Sequence, residues 1–356
     1  MKLTLSDVAR EAGVSRATVS RVINSIPSVD AETVASVRAT MDRIGYVRPA
    51  VRPGPKPRIT HPLRLRAGAI ALIAIGGSRN LLQEPTMAQV VEEIQGACRK
   101  RQLNLLLDQM DSPDQIPLCV QTRQVDGALI MVSGRPANLR ACIRKLAGLI
   151  PSVHFFAPGH PVAGVDHVSV NDVAIGSLAY HTLKDAGCKS FASVTLRDEF
   201  HEALMVRGRA FTDRAAADDF PSHHFVSPFG VGDPGRFWPS PLTLCNDPDS
   251  MAAAIRDQLP APVGVFVTLE TFARPAHKAL ERLGLLSSGA AHMIVAGSTP
   301  AYISGLEPAP RLISLDFPEI ISIAIERLIH RAVHSPTGAL TFLIPPRLSS
   351  HDPSPV

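Results

Sequence analysis

Apolar positions in the first fifty residues recur at helical spacing in three short bursts. Leu5, Val8, Ala9 and Ala12 line one face of the first, the pattern of an amphipathic helix. Thr4 followed three residues later by Asp7 has the form of a capping box, and Gly13 ends the segment as a residue tolerant of positive φ. Ser15 suits the N-cap of a second helix, Arg16 to Ile23, with Val14 and Val19 spaced as a hydrophobic staple and Asn24 at its end. A third helix fits Asp30 as cap, Val29 and Val34 as a second staple, and the apolar series Val34, Val37, Met41 and Ile44 up to Gly45. Two short helices joined by the tight Ala12-Gly13-Val14 turn, with a third supporting them, predict an all-α helix-turn-helix head. Its second helix carries Arg16, Ala17, Ser20 and Arg21 away from Val19 and Val22.

Beyond Ala67 the pattern changes to short apolar runs alternating with amphipathic stretches. Strands are expected at Ala69–Ile75, Leu103–Leu107, Gly127–Val132, Ser152–Phe156, Ser190–Thr195, Val263–Val267 and His292–Ala296. Helices are expected at Met87–Arg101, Ala174–Ala186, Ala203–Ala216 and Thr271–Leu283. Strands separated by helices of ~10–15 residues imply βαβ units and parallel sheets. Some 280 residues of such alternation favour an α/β body of two lobes.

Composition narrows the possibilities. A chain of 356 residues, 45% hydrophobic and 19% charged, buries a sizeable core and is not a disordered chain. The longest near-continuous apolar stretch, Ala67 to Gly76, falls short of the ~20 residues that cross a bilayer. The first residues lack the basic start and apolar middle of a signal peptide, so a cytoplasmic location is expected. Cys98, Cys119, Cys142, Cys188 and Cys245 are odd in number, widely spaced and without a C-x-x-C pair, which argues against a disulfide framework or a zinc site and for reduced thiols. Charge is uneven: residues 1–66 hold twelve Lys and Arg against five Asp and Glu, a net of +7, and the remaining 290 carry −3. A basic head on a mildly acidic body points to a polyanion partner for the head.

The second helix has side chains suited to reading a duplex. Arg16 and Arg21 can donate bidentately to guanine edges, and the Ala17 methyl suits a thymine methyl. Ser15, Thr18 and Asn24 are short donors for phosphate oxygens, which set register without reading sequence. Other motifs fail on context. Gly230-Val231-Gly232-Asp233-Pro234-Gly235 has the dinucleotide-binding spacing but lies among prolines, with no strand before it or helix after it. His223-His224 reads as a loop or surface pair; no metal-ligand spacing, nucleophile elbow or other catalytic constellation appears, so neither an enzyme nor a resident cofactor is expected.

The run Thr4-Leu5-Ser6-Asp7-Val8-Ala9, then Ala12-Gly13-Val14-Ser15-Arg16-Ala17-Thr18-Val19-Ser20-Arg21-Val22-Ile23-Asn24 and Ile44-Gly45-Tyr46, closely resembles the DNA-binding head of the lactose-repressor (LacI/GalR) family of bacterial transcription regulators. By that resemblance Arg16, Ala17 and Arg21 fall where the family reads bases, and Thr4, Ser15, Thr18, Asn24 and Thr33 where it holds the DNA backbone. Asp126-Gly127-Ala128-Leu129-Ile130, Val170-Asn171-Asp172 and Pro310-Arg311-Leu312-Ile313-Ser314-Leu315 resemble the family's periplasmic-binding-protein-like (type I) effector domain, whose two lobes close over a small ligand. The implied organisation is a helix-turn-helix domain over residues 1–48, a linker over 49–66, an effector-binding and dimerisation domain over 67–345 and a C-terminal tail over 346–356. The chain is expected to pass between lobes near Phe156–Val165, Ser287–Ala291 and Leu315–Pro318.

The resemblance implies a regulator, by expectation a repressor, that binds operator DNA as a homodimer under control of a small-molecule effector, a sugar or sugar derivative. The alternative is a cytosolic solute-binding protein with a non-functional head. Arg207, with Ala210-Phe211 after it, matches the family's ligand-facing arginine; Glu270 sits where many relatives carry an acid, although Leu269 replaces the preceding asparagine; Ser78 and Arg79 follow the first strand toward the cleft. Gly297-Ser298-Thr299-Pro300 replaces the family's Gly-Phe-Asp-Asp, whose acid binds sugar hydroxyls. The linker departs too. Prolines 53, 55 and 57 exclude the family's hinge helix, at ~3 kcal/mol each inside a helix. What remains is an extended cationic strap: either a semi-rigid spacer, or a segment whose Arg52, Lys56 and Arg58 lie along a minor groove.

Overall fold

The computed structural model describes residues 4–23, 29–46, 63, 65–76, 85–132, 138–156, 162–197, 202–228, 248–334 and 338–349. The chain divides into two compact units, residues 1–59 and 60–356.

In the first unit α1 (Leu5–Ala12), α2 (Arg16–Ile23) and α3 (Ala31–Ile44) form where the local signals place them. The capping box is made: Thr4 donates from its backbone N–H to Asp7 Oδ2 at 2.9 Å and from its hydroxyl at 2.7 Å. The Thr18 N–H donates to Ser15 Oγ at 3.0 Å, and the Thr33 N–H to Asp30 Oδ1 at 2.8 Å. Gly13 and Gly45 end α1 and α3 at φ 66° and 70°, a conformation that costs an L-residue with a Cβ. Val8, Val19, Val22 and Val37 are buried together, with Tyr46 closing the core and both staple pairs packed against it.

The second unit holds two six-stranded sheets. The first lobe has strand order β11-β5-β4-β3-β1-β2, with all pairings parallel. Its strands are β1 (Ala69–Ile75), β2 (Asn104–Met110), β3 (Gly127–Val132), β4 (Ser152–Phe155), β5 (Asp166–Val170) and β11 (Thr341–Ile344). The second lobe has order β12-β10-β9-β8-β6-β7, with β12 alone antiparallel. It is built from β6 (Ser190–Arg197), β7 (Ser222–Pro228), β8 (Val263–Val267), β9 (Ala291–Ala296), β10 (Arg311–Ser314) and β12 (Arg347–Leu348). All seven residues of β1 are buried, Ile70 and Leu72 in one hydrophobic cluster and Ala69, Ala71, Ile73 and Ile75 in another. A parallel sheet covered on both faces produces such an unbroken apolar run. Helices α4 (Pro85–Lys100) and α11 (Phe317–Val333) pack together against the first lobe, and α7 (Asp172–Asp185) and α8 (Glu202–Ala217) against the second.

Two inter-lobe passages differ from expectation. Strands β4 and β5 share a sheet, as do β8 and β9, so no passage lies at Phe156–Val165 or Ser287–Ala291. The chain leaves the first lobe at Asn171, after β5, returns at Leu315–Phe317, and leaves again between Ile344 and Arg347. Pairing of β12 with β10 also draws part of the expected tail, Arg347–Leu348, into the second sheet. His223 and His224 lie on β7 rather than in a loop, and His224 Nδ1 meets the Ser193 hydroxyl. The helix expected at Thr271–Leu283 starts as a 3-10 turn, Glu270–Phe272, and continues as α10, Ala273–Arg282. A half-buried carboxylate, Asp126, and a fully buried one, Asp166, fix the starts of strands. Asp126 accepts backbone N–H bonds from Arg66, Ala67 and Gly68 and so fixes the start of β1. Asp166 accepts from Arg327, Arg331 and the Leu340 N–H, tying α11 and the start of β11 to β5. No helix among the described residues is long and apolar enough to cross a membrane.

Candidate nucleic-acid interface and ligand cleft

In the first unit, burial of Val19 and Val22 against α1 and α3 decides which side of α2 faces water. Ser15, Arg16, Ala17 and Arg21 are exposed, and Thr18 and Ser20 are half-buried at the edge of the same face. The Ser15 and Thr18 hydroxyls exchange a hydrogen bond at 2.9 Å, which leaves one O–H of the pair to donate outward. Thr4 is exposed, but its hydroxyl is committed to Asp7. These bonds from Thr4, together with Arg10 at 2.9 Å, hold the Asp7 carboxyl below the usual carboxylate range. Thr33 is half-buried in the first turn of α3, where its N–H serves the cap. Asn24, Arg52, Lys56 and Arg58 lie outside the described residues. An exposed, N-capped helix face with two arginines and a methyl matches the chemistry of major-groove edges.

In the second unit a cleft of about 130 Å³ opens between the lobes. Arg207, on α8, lines it and is itself only 6% exposed. Its Nε donates to Asp172 Oδ1 at 2.7 Å and its Nη1 to the Thr268 carbonyl at 3.0 Å, so the guanidinium is held from two sides while Nη2 takes part in neither bond. Phe156 and Phe317 meet edge to face at 4.9 Å in the cleft wall, beside Leu269 and Leu315. Phe156 (φ 53°) and Asp316 (φ 50°), which is next to Phe317, occupy the left-handed region that non-glycine residues avoid.

Glu270 is brought near the cleft but does not line it. Its buried carboxylate accepts the Thr86 hydroxyl at 3.2 Å and the Thr299 N–H at 2.9 Å; burial raises its pKa, and these bonds lower it. The carboxylate packs so close over Gly297 that a Cβ there would fall 1.7 Å from Oε2. Ser78 and Arg79 lie outside the described residues. Sequence reasoning missed Asp172 as the partner of Arg207, because the two are 35 residues apart and no local pattern joins them. It also missed Phe156 and Phe317 as cleft walls, having placed them only at a strand end and in expected inter-lobe passages. Among the described residues no group of His, Cys, Asp and Glu is placed to hold a metal ion.

Residues 4–49 match the family described as bacterial regulatory proteins, lacI family. The head of the chain is thus that of the LacI/GalR family of bacterial transcription regulators. Among its relatives, catabolite control protein A of Priestia megaterium is 28% identical over 221 residues, 60% of this chain and 62% of that protein. The HTH-type transcriptional repressor PurR of Pectobacterium carotovorum subsp. carotovorum is 32% identical over 146 residues, 40% of this chain and 39% of that protein. The chain thus matches less than two thirds of the length of either curated relative. Two solved structures share the LacI/GalR fold over 98% of both chains. They are the transcriptional regulator CelR–cellobiose complex, with 21% identity and a TM-score of 0.59, and the lac repressor dimer bound to operator and the anti-inducer ONPF, with 16% identity and a TM-score of 0.58.

Proposed function

We propose that this protein with a LacI/GalR-family head is a sequence-specific DNA-binding transcription regulator, a repressor by analogy with its PurR relatives, whose operator affinity is set by a small molecule bound between the lobes. The observation that carries the reading is the exposed Ser15, Arg16, Ala17 and Arg21 face of α2, on a head whose caps and valine core are intact. Arg16 and Arg21 read base edges; the Ser15–Thr18 pair and Thr33 meet phosphates. A homodimer presents two heads to two half-sites of a pseudo-palindrome. Differential affinity of the effector for DNA-competent and incompetent arrangements couples the sites by ~1–3 kcal/mol. The structures of relatives hold sugars and sugar-like ligands, such as cellobiose with CelR.

Genomic-fragment selection with the purified protein, followed by gel shift, tests this. The Arg16→Ala/Arg21→Ala double variant should lose preference for the selected fragment over random duplex, at ~1–3 kcal/mol per base contact. Retention of full preference by that variant would overturn the proposal. Replacing Arg52, Lys56 and Arg58 by alanine should flatten the salt dependence of affinity by ~0.9 per lost phosphate contact, and an unchanged slope makes the linker a spacer.

A further inference from the structure

The cleft assigned above to the effector is an unusual receptor for a polyol. Of the fourteen described residues that line it, only Thr86, Ser169 and Arg207 carry polar side chains. A buried sugar needs an acceptor for each hydroxyl hydrogen, and each one left unpaired costs ~1–3 kcal/mol. Among the described residues, the carboxylates of Asp172 and Glu270 are committed elsewhere: Asp172 to Arg207 Nε, and Glu270 to Thr86 and Thr299. Neither lines the cleft. Among the described lining residues, the Thr86 and Ser169 hydroxyls can accept or donate, and the one charged group is the Nη1–Nη2 end of a buried arginine, a pure donor whose orientation is fixed.

The walls point the same way. Phe156 and Phe317 stand edge to face, and the thioethers of Met87 and Met131 complete an apolar surface that favours a flat ring. Phe156 and Asp316, both with positive φ, place these walls, and backbone strain of this kind concentrates at ligand sites. A volume of about 130 Å³, below the ~300–1,000 Å³ of drug-sized pockets, calls for a small ligand. We infer that the effector is a small aromatic monocarboxylate, its carboxylate on Arg207 and its ring between Phe156, Phe317 and the two methionines. This deepens the proposed function and rests on the reading of the cleft as the effector site.

Isothermal titration calorimetry on the full chain tests the inference with benzoate and cinnamate, the uncharged methyl benzoate and benzyl alcohol, and the polyols glucose and cellobiose. One or both acids should bind, the ester and alcohol at least about tenfold more weakly, and the polyols not measurably. Arg207→Gln alone strands Asp172, so the Arg207→Gln/Asp172→Asn double variant is used. It should lose the preference for acid over alcohol, with acid affinity about ten- to hundredfold lower. Leu269→Asn, at a half-buried wall position, should weaken acid binding in a chain whose thermal unfolding is unchanged. Polyol binding tighter than acid binding overturns the inference, as does equal affinity for acid and ester, an unchanged acid preference in the double variant, or no binding at all. Gel shift in the absence of ligand separates the two levels: if operator preference persists while the acids fail, the ligand class falls and the regulator stands. If operator preference is absent, the regulator falls whatever the acids do.

Discussion

Acid should destabilise the second unit through one histidine. His154, on β4, is 3% exposed, and neither ring nitrogen has a hydrogen-bond partner. The ring meets His167 of β5 edge on at 4.9 Å. Burial, with a smaller contribution from His167, depresses its pKa from 6.5 to about 3. The folded chain therefore holds His154 neutral where the unfolded chain protonates, and the stability this contributes is complete above pH 6.5 and lost as pH falls toward 3. Each pH unit inside that window costs up to ~1.4 kcal/mol, so acidification from 6.5 to 4.5, starting with the unfolded imidazole half protonated, costs about 2.3 kcal/mol. Against a typical domain stability of ~5–15 kcal/mol that is a large fraction. His154→Leu removes the titration and both unpaired nitrogens. Urea unfolding followed by far-UV circular dichroism at pH 4.5, 5.5, 6.5 and 7.5 should show the wild type losing ground to the variant by up to ~1.4 kcal/mol per unit below pH 6.5. At pH 7.5 the variant should be at least as stable, because unpaired buried polar atoms are costly. Parallel pH profiles for the two proteins would refute the reasoning.

Three further outcomes are expected. Gly176→Ala puts a Cβ 2.3 Å from the Arg207 carbonyl oxygen and 2.8 Å from the Phe211 nitrogen. Helices α7 and α8 must then separate, at ~1–3 kcal/mol in thermal or urea unfolding, with weaker effector binding as Arg207 moves. Glu270 has the opposite sign to His154: burial raises its pKa above 4.5, so the folded chain retains a proton that the unfolded chain has released, and stability falls as pH rises from 4.5 to the raised value. Glu270→Gln should lack that fall, which matched unfolding curves between pH 4.5 and 8 would detect. Burial pushes the Cys98, Cys119 and Cys188 thiols up to about 11 and raises Cys142. A native Cys245→Ser variant should therefore be inert to a disulfide reagent at pH 7.5 and expose four reactive thiols in urea; rapid reaction of the native form would contradict that burial.

The head was readable residue by residue because its signals are short-ranged. Thr4 with Asp7, Ser15 with Thr18 and Asp30 with Thr33 each act across three residues, and the two αL glycines act on their own turns. Strands β1, β3 and β8 have the bounds expected from their apolar runs. Strand β5 was not expected. Its Asp166 and His167 look like loop residues until Arg327 and Arg331, more than 160 positions away, meet the carboxylate. Strands β11 and β12 were missed for a related reason: they are short, partly exposed pieces that join sheets begun much earlier in the chain. The passages between lobes went astray with them, since a passage is defined by the sheet each strand joins.

Arg207 shows the same division within the ligand site. Its side-chain type and its helix could be read from residues near it. Its fixed orientation depends on Asp172 and the Thr268 carbonyl, and its apolar surroundings on both lobes. Local chemistry thus decided the three helices of the head, the face that α2 presents and the alternation of strand and helix in the body. Cap bonds, turns and amphipathic periodicity all act within about one helical turn or one strand. Strand order, inter-lobe passages and the setting of a fixed arginine in an apolar cleft wall were decided only on folding, because long-range pairing and burial, not neighbours in the chain, select which groups meet.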